Sequence, residues 1–193
     1  MQAAVPAGKG AMIVVQRVPR DRLNVLCESV SGYCALSVHN APNLFVVSGE
    51  TASISALTEK LKLERAVVIP LAVSAPFHCR MLTPAARALE DKLARIEMKP
   101  LEIPYVANVD ATWYDERTPE ALRSSLAEQV VAPVRWSETL ELMLSKDIER
   151  FWHMGPGRST LTHVKKHHRK ANVATWDDLD AVTKLLSEIA EAR

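Results

Sequence analysis

The 193-residue chain has only three cysteines, Cys27, Cys34 and Cys79, and no paired spacing among them. An odd count without C-x-x-C pairs excludes a disulfide framework and the usual zinc motifs, and it fits a reducing, cytoplasmic setting. Neither sign of charge is in excess: 24 Lys and Arg stand against 23 Asp and Glu, a net charge of +1. That balance argues against a general nucleic-acid or membrane-surface binder. No apolar run approaches the ~20 residues of a membrane span. Met1 to Gly10 lacks the apolar core of a secretory leader. Aromatic residues make up 5% of the chain, and they form no ribonucleoprotein-type pattern on the predicted strands, which counts against RNA binding.

What is present is ordinary globular material, 48% hydrophobic and 24% charged, enough for a core. β-Branched and apolar runs predict strands at Ala11–Gln16, Cys34–Val38, Leu44–Ser48 and Val67–Val73. Helical spacing falls between them, at Pro19–Val30 and Glu50–Leu63, and His39–Asn43 has turn composition. The order β-α-β-β-α-β is the split βαβ, ferredoxin-like arrangement, complete within residues 11–73. Residues 1–10 are a loop-like start, expected to be a linker from a preceding segment.

From residue 74 to residue 193 the rhythm becomes α/β. Helices are predicted at Thr83–Ile96, Thr118–Val131, Trp136–Ser145, Ser159–His168 and Leu179–Ala192. Strands are predicted at Ile103–Asn108, Glu149–Met154 and Val173–Trp176. Alternation of this kind implies a parallel sheet with flanking helices, here of only about three strands. The fold class is therefore α/β with an α+β small subdomain. A sheet so thin leaves an open edge and an apolar face, to be covered by an oligomer, an exchanged domain or a partner chain.

The candidate chemistry centres on Ser74-Ala75-Pro76-Phe77-His78. His78 stands between a strand end and a helix start, behind a neck of small residues and proline. An imidazole titrating near pH ~6.5 can act as a general base there. A core or capping histidine is the plain alternative. His163 and His167 have i, i+4 spacing but no third ligand, so no metal is expected. Cys79 beside His78 is a tempting nucleophile, yet adjacent side chains seldom point to one spot. No G-x-S-x-G elbow occurs anywhere in the chain, and Gly155-Pro156-Gly157-Arg158-Ser159 lacks the P-loop lysine and the dinucleotide fingerprint.

Taken together, several stretches resemble one family. They are Met1 to Pro6, Gly10-Ala11-Met12, Asn40-Ala41-Pro42 through Val47-Ser48-Gly49, Pro70 to His78, and Met81 with Pro84-Ala85-Ala86. Pro104 to Asp110, Gln129 through Pro133-Val134-Arg135-Trp136, and Gly155-Pro156-Gly157 complete the set. This combination is similar to the malonyl-CoA:acyl-carrier-protein transacylases of fatty-acid and polyketide synthesis. The resemblance implies a small ferredoxin-like subdomain inserted in a larger α/β-hydrolase-like one, of which residues 74–193 are the C-terminal part. It implies a ping-pong reaction in which a serine takes malonyl from coenzyme A and passes it to the phosphopantetheine thiol of an acyl-carrier protein.

On the same resemblance His78 is the catalytic base, and the backbone carbonyl of Gln129 orients it in place of a triad acid. Asn108 belongs near the same site, and Phe77 narrows the acyl pocket toward malonyl. No cofactor beyond the coenzyme A thioester is implied. The serine elbow, the arginine for the malonyl carboxylate and the oxyanion loop are expected upstream of Met1, in the same or a separate chain. Two other readings stay open: a non-catalytic module that binds an acyl-carrier protein or partner enzyme, and an acyl hydrolase of the same family.

Overall fold

The computed structural model describes residues 1–115, 118–148 and 150–191. The early apolar runs form strands β1 (Gly10–Gln16), β2 (Cys34–Ala41), β3 (Leu44–Glu50) and β4 (Val67–Pro70), with helices α1 (Arg20–Glu28) and α2 (Thr51–Leu63) between them. Their sheet order is β2-β3-β1-β4, and each neighbouring pair is antiparallel. β3 thus lies between β1 and β2, the split βαβ arrangement that the order of elements predicts.

Alternation along the strands sorts their side chains. Ile13 and Val15 of β1, with Phe45 and Val47 of β3, meet Leu23 and Leu26 of α1 and Ile54, Leu57 and Leu61 of α2 in one core. Each fully buried leucine there stabilises the fold by about 1.5–3 kcal/mol. Gly10 and Met12 have the opposite parity and point to the other face. β3 is buried on both faces. Its Ser48 hydroxyl donates to Ser37 Oγ at 2.8 Å, which donates to the Val46 carbonyl at 3.1 Å, so neither buried hydroxyl lacks a partner.

Two expectations need correction. β2 runs through the His39–Ala41 segment that turn composition marked as a turn. Register shifts after Leu36 and after His39 let the strand continue, and only Pro42 and Asn43, the latter at φ 55°, join it to β3. Ladder pairing outweighs composition there because it satisfies the backbone groups of a buried strand. The second correction concerns Ile103–Asn108, which is not a strand of a parallel sheet. Only Tyr105–Val106 (β5) is extended, and it pairs antiparallel with Trp113–Tyr114 (β6). Asp110 drives this reversal: its carboxylate accepts from the Thr112 N–H at 3.1 Å and from the Tyr114 hydroxyl at 3.0 Å.

Helix α3 (Thr83–Leu93) stops short of Ile96, where the Arg123 guanidinium donates to the carbonyls of Leu93 at 3.1 Å and Ile96 at 2.9 Å. Arg123 belongs to α4 (Pro119–Glu128). That helix opens as its sequence predicts, with Pro119 in the first turn and the Thr118 hydroxyl accepting from the Ala121 N–H at 3.2 Å.

The chain divides into two compact units, Met1–Thr139 and Leu140–Arg193, with the boundary inside α5 (Trp136–Leu144). In the second unit β7 (Arg150–His153) and β8 (Asn172–Thr175) pair in parallel through the crossover helix α6 (Ser159–His167), and α7 (Leu179–Glu191) follows. Lys165 Nζ reaches the Ala171 carbonyl at 2.6 Å, and Lys165, Lys166 and His167 place basic side chains in the last turn of α6, where the helix dipole favours cations. Glu149 and Ala192, assigned to a strand and a helix by pattern, lie outside the described residues. No described helix is long and apolar enough to cross a membrane.

Candidate active site

The neck before His78 is seated on the second face of the sheet. Gly10 opens β1, and a Cβ there would lie 2.3 Å from the Pro76 ring, so only glycine lets the buried proline settle. Two residues along, the Met12 sulfur accepts the Phe77 N–H at 3.3 Å. The Cys79 thiol then turns back and donates to the Pro76 carbonyl at 3.1 Å. Between these ties His78 takes φ 56°, a left-handed conformation that costs a side-chain-bearing residue about 1–3 kcal/mol. Beyond it, the short helical turn Arg80–Leu82 leads into α3. Leu82 is fully buried against Val5 and Val130, the residue after Gln129.

Packing of Leu82 on Val130 brings the histidine to the end of α4. His78 Nδ1 lies 3.0 Å from the Gln129 carbonyl oxygen. A carbonyl can only accept, so Nδ1 carries the hydrogen and Nε2 keeps its lone pair free to take a proton. Helix ends leave carbonyls without intrahelical partners. Here those of Ser125, Ala127 and Glu128 are taken by the N–H groups that follow, and the Gln129 oxygen is left for the imidazole. What the arrangement offers is an oriented base that exchanges one proton at Nε2.

No family model matches the chain. The malonyl CoA-acyl carrier protein transacylase of Bacillus subtilis is 29% identical over 195 residues, which cover 99% of this chain and 61% of the relative. The crystal structure of a malonyl CoA-acyl carrier protein transacylase from Clostridium perfringens is 34% identical. It superposes with a TM-score of 0.88 over 100% of this chain and 61% of its own. A malonyl-transacylase solved in complex with its type II PKS acyl-carrier protein is 32% identical, with a TM-score of 0.87 over 92% of this chain and 58% of its own.

Across nearly its whole length the chain is similar to malonyl-CoA:acyl-carrier-protein transacylases. It is a partial portion, matching 61% of the length of the Bacillus subtilis relative. Of the residues this transacylase resemblance singles out, the fold joins His78 and Gln129 directly. The Phe77 ring is partly buried and packs on the Val5, Leu82 and Val130 cluster beside them. Asn108 follows β5, and its carbonyl accepts the Arg135 N–H at 2.9 Å. Among the described residues no hydrogen bond joins Asn108 to His78.

Sequence reasoning missed the supports. Val134 pairs with β2, its carbonyl accepting the His39 N–H at 2.9 Å and its N–H reaching the Ser37 carbonyl at 2.9 Å. Glu138 then receives Arg20 at 2.8 Å and Arg135 at 3.3 Å, tying α1 to the start of α5. Burial raises the Glu138 carboxyl, but the two guanidinium groups outweigh it and hold the group below its usual range. Only the glycine opening β1 and the Pro133–Trp136 stretch, both within the resemblance, hinted at these supports. Burial pushes the Cys79 thiol up, and 2% of the residue is exposed, which leaves it as a poor nucleophile. Among the described residues no group of three or more His, Cys, Asp or Glu side chains gathers at metal-binding range.

Proposed function

We propose that the chain supplies the base of an acyl transfer in which malonyl, or a similar acyl group, moves from coenzyme A to a serine and then to the phosphopantetheine thiol of an acyl-carrier protein. The observation that supports this best is the 3.0 Å contact of His78 Nδ1 with the Gln129 carbonyl, which leaves Nε2 as the proton acceptor. As the serine oxygen attacks the thioester carbon, Nε2 takes the hydroxyl proton. The carbon–sulfur bond then breaks, and the imidazolium returns the proton to the coenzyme A thiolate. In the second half-reaction the same nitrogen takes the carrier thiol's proton as its sulfur attacks the serine ester, and returns it to the serine oxygen. Gln129 fills the place of a triad acid by orienting the ring, Phe77 narrows the acyl pocket, and Asn108 borders it.

The serine belongs to a segment other than these 193 residues, in the same chain or another, since no G-x-S-x-G elbow lies within them. A cytoplasmic setting and a place in fatty-acid or polyketide synthesis follow from the same reading. Mass spectrometry of malonyl transfer to a phosphopantetheinylated carrier tests it, with the chain alone and with a polypeptide carrying the serine segment of the Bacillus subtilis relative. Transfer is expected only in the mixture. A serine of the isolated chain becoming malonylated would overturn the assignment of roles. An inactive mixture in which the chain still retains the carrier favours the binding-module reading.

A further inference from the structure

We propose that Tyr33 is a positioning residue for His78, acting through Arg80; the inference rests on His78 being the base. The conformation of His78 is one that a residue with a side chain adopts only when its surroundings over-determine it. On the N-terminal side Pro76 and Phe77 are pinned by Gly10 and Met12. On the C-terminal side the first tie outside the elbow is to Tyr33, far away in sequence at the entrance to β2. The Tyr33 hydroxyl oxygen accepts the Arg80 N–H at 3.3 Å, and the Arg80 guanidinium lies 4.0 Å from the centre of the Tyr33 ring. One side chain therefore grips both the backbone and the cation of the residue two positions after the base, by a hydrogen bond and a cation–π contact.

Such a grip works only if Tyr33 is itself held, and it is. Its carbonyl accepts the Glu50 N–H at 2.8 Å, and its own N–H reaches the Glu50 carboxylate at 3.3 Å. The same carbonyl would sit 2.3 Å from a Cβ on Gly49, so glycine there allows the close approach. Gly32 before it, at φ 82°, has the Glu50 carboxylate and the Ser53 hydroxyl where a side chain would go. Burial raises the phenol, which keeps the oxygen a neutral hydroxyl at neutral pH. The edge of the four-stranded sheet thereby sets the C-terminal side of the histidine elbow, as β1 sets the N-terminal side.

Nitrogen-15 correlation spectra of the His78 imidazole, with exchange of its Nδ1 proton, test this on the chain as it stands. The wild-type protein should show Nδ1 protonated and Nε2 bare. In Tyr33→Ala the Nδ1 proton should exchange about tenfold faster, on the scale of one lost hydrogen bond, and the other tautomer should appear. Tyr33→Phe, which keeps the ring, and Arg80→Ala, which keeps the N–H, should each give part of that change and serve if Tyr33→Ala fails to fold. Glu64→Ala, which removes the remote surface pair with Arg22, should leave His78 unchanged. If the wild-type tautomer and exchange persist in Tyr33→Phe and Arg80→Ala and in any folded Tyr33→Ala, the positioning role is wrong while the base assignment stands. A wild-type imidazole without a proton on Nδ1 overturns the base geometry, and the role of Tyr33 with it.

Discussion

The imidazole of His78 and the main-chain oxygen of Gln129, 51 positions apart in sequence, stand 3.0 Å from each other. The contact uses the backbone of Gln129. Replacing its side chain should therefore change little: Gln129→Ala is expected to keep the His78 tautomer and to hold complemented transfer within about twofold of wild type. A loss of more than about tenfold, the scale of one hydrogen bond, would show that the amide side chain is used.

The seat of the neck is steric and should respond to a single methyl group. Gly10→Ala puts a Cβ 2.3 Å from the Pro76 ring. Overpacking of that kind costs about 1–3 kcal/mol. Urea unfolding should report it as a lower midpoint with an unchanged slope. An unchanged midpoint would mean that the neck has room to shift.

These two positions show how unevenly the sequence displays the molecule. The small sheet was legible because its strands and helices alternate with clear periods and its core residues, Val15, Leu23, Phe45 and Leu57 among them, follow that pattern. The β5–β6 reversal was not, since two strands of two residues carry no periodicity and only Asp110 marks the turn. His78 was legible by its place at the end of a neck. Its partner is a backbone atom, which no residue type reveals, and it came only through family resemblance. Tyr33, Arg80 and Glu138 act through pairings across the fold that a linear pattern does not encode.

Glu138 should make stability depend on pH in one direction. Its folded carboxyl is held below the usual range by Arg20 and Arg135 against the opposing effect of burial, and His39 Nδ1 lies 3.9 Å from the same carboxylate. A depressed carboxyl contributes stability above its unfolded value of about 4.3 and loses it as pH falls through the folded value. Urea unfolding of wild type and Glu138→Gln should therefore differ at pH 7, and the difference should shrink below about pH 4. A difference that is constant down to pH 3, well into the carboxylate range, would exclude the ionised clamp.

Cys79 should be chemically quiet despite its place beside the base. The thiol is buried, donates to the Pro76 carbonyl and is pushed up by that burial. Peptide mapping after iodoacetamide at neutral pH should find Cys79 unmodified in the native protein and modified after unfolding. Rapid native labelling would reopen the case for a thiol nucleophile.

Proton transfer by His78 during acylation is the step on which the proposed reaction rests. Single-turnover acylation of the complementing serine segment by malonyl-CoA, with wild-type chain and with His78→Ala, tests it most directly. Loss of a general base typically costs about 10²–10⁴-fold. A fall in that range is expected with the two polypeptides still associating, whereas equal acylation rates would rule out His78 as the base.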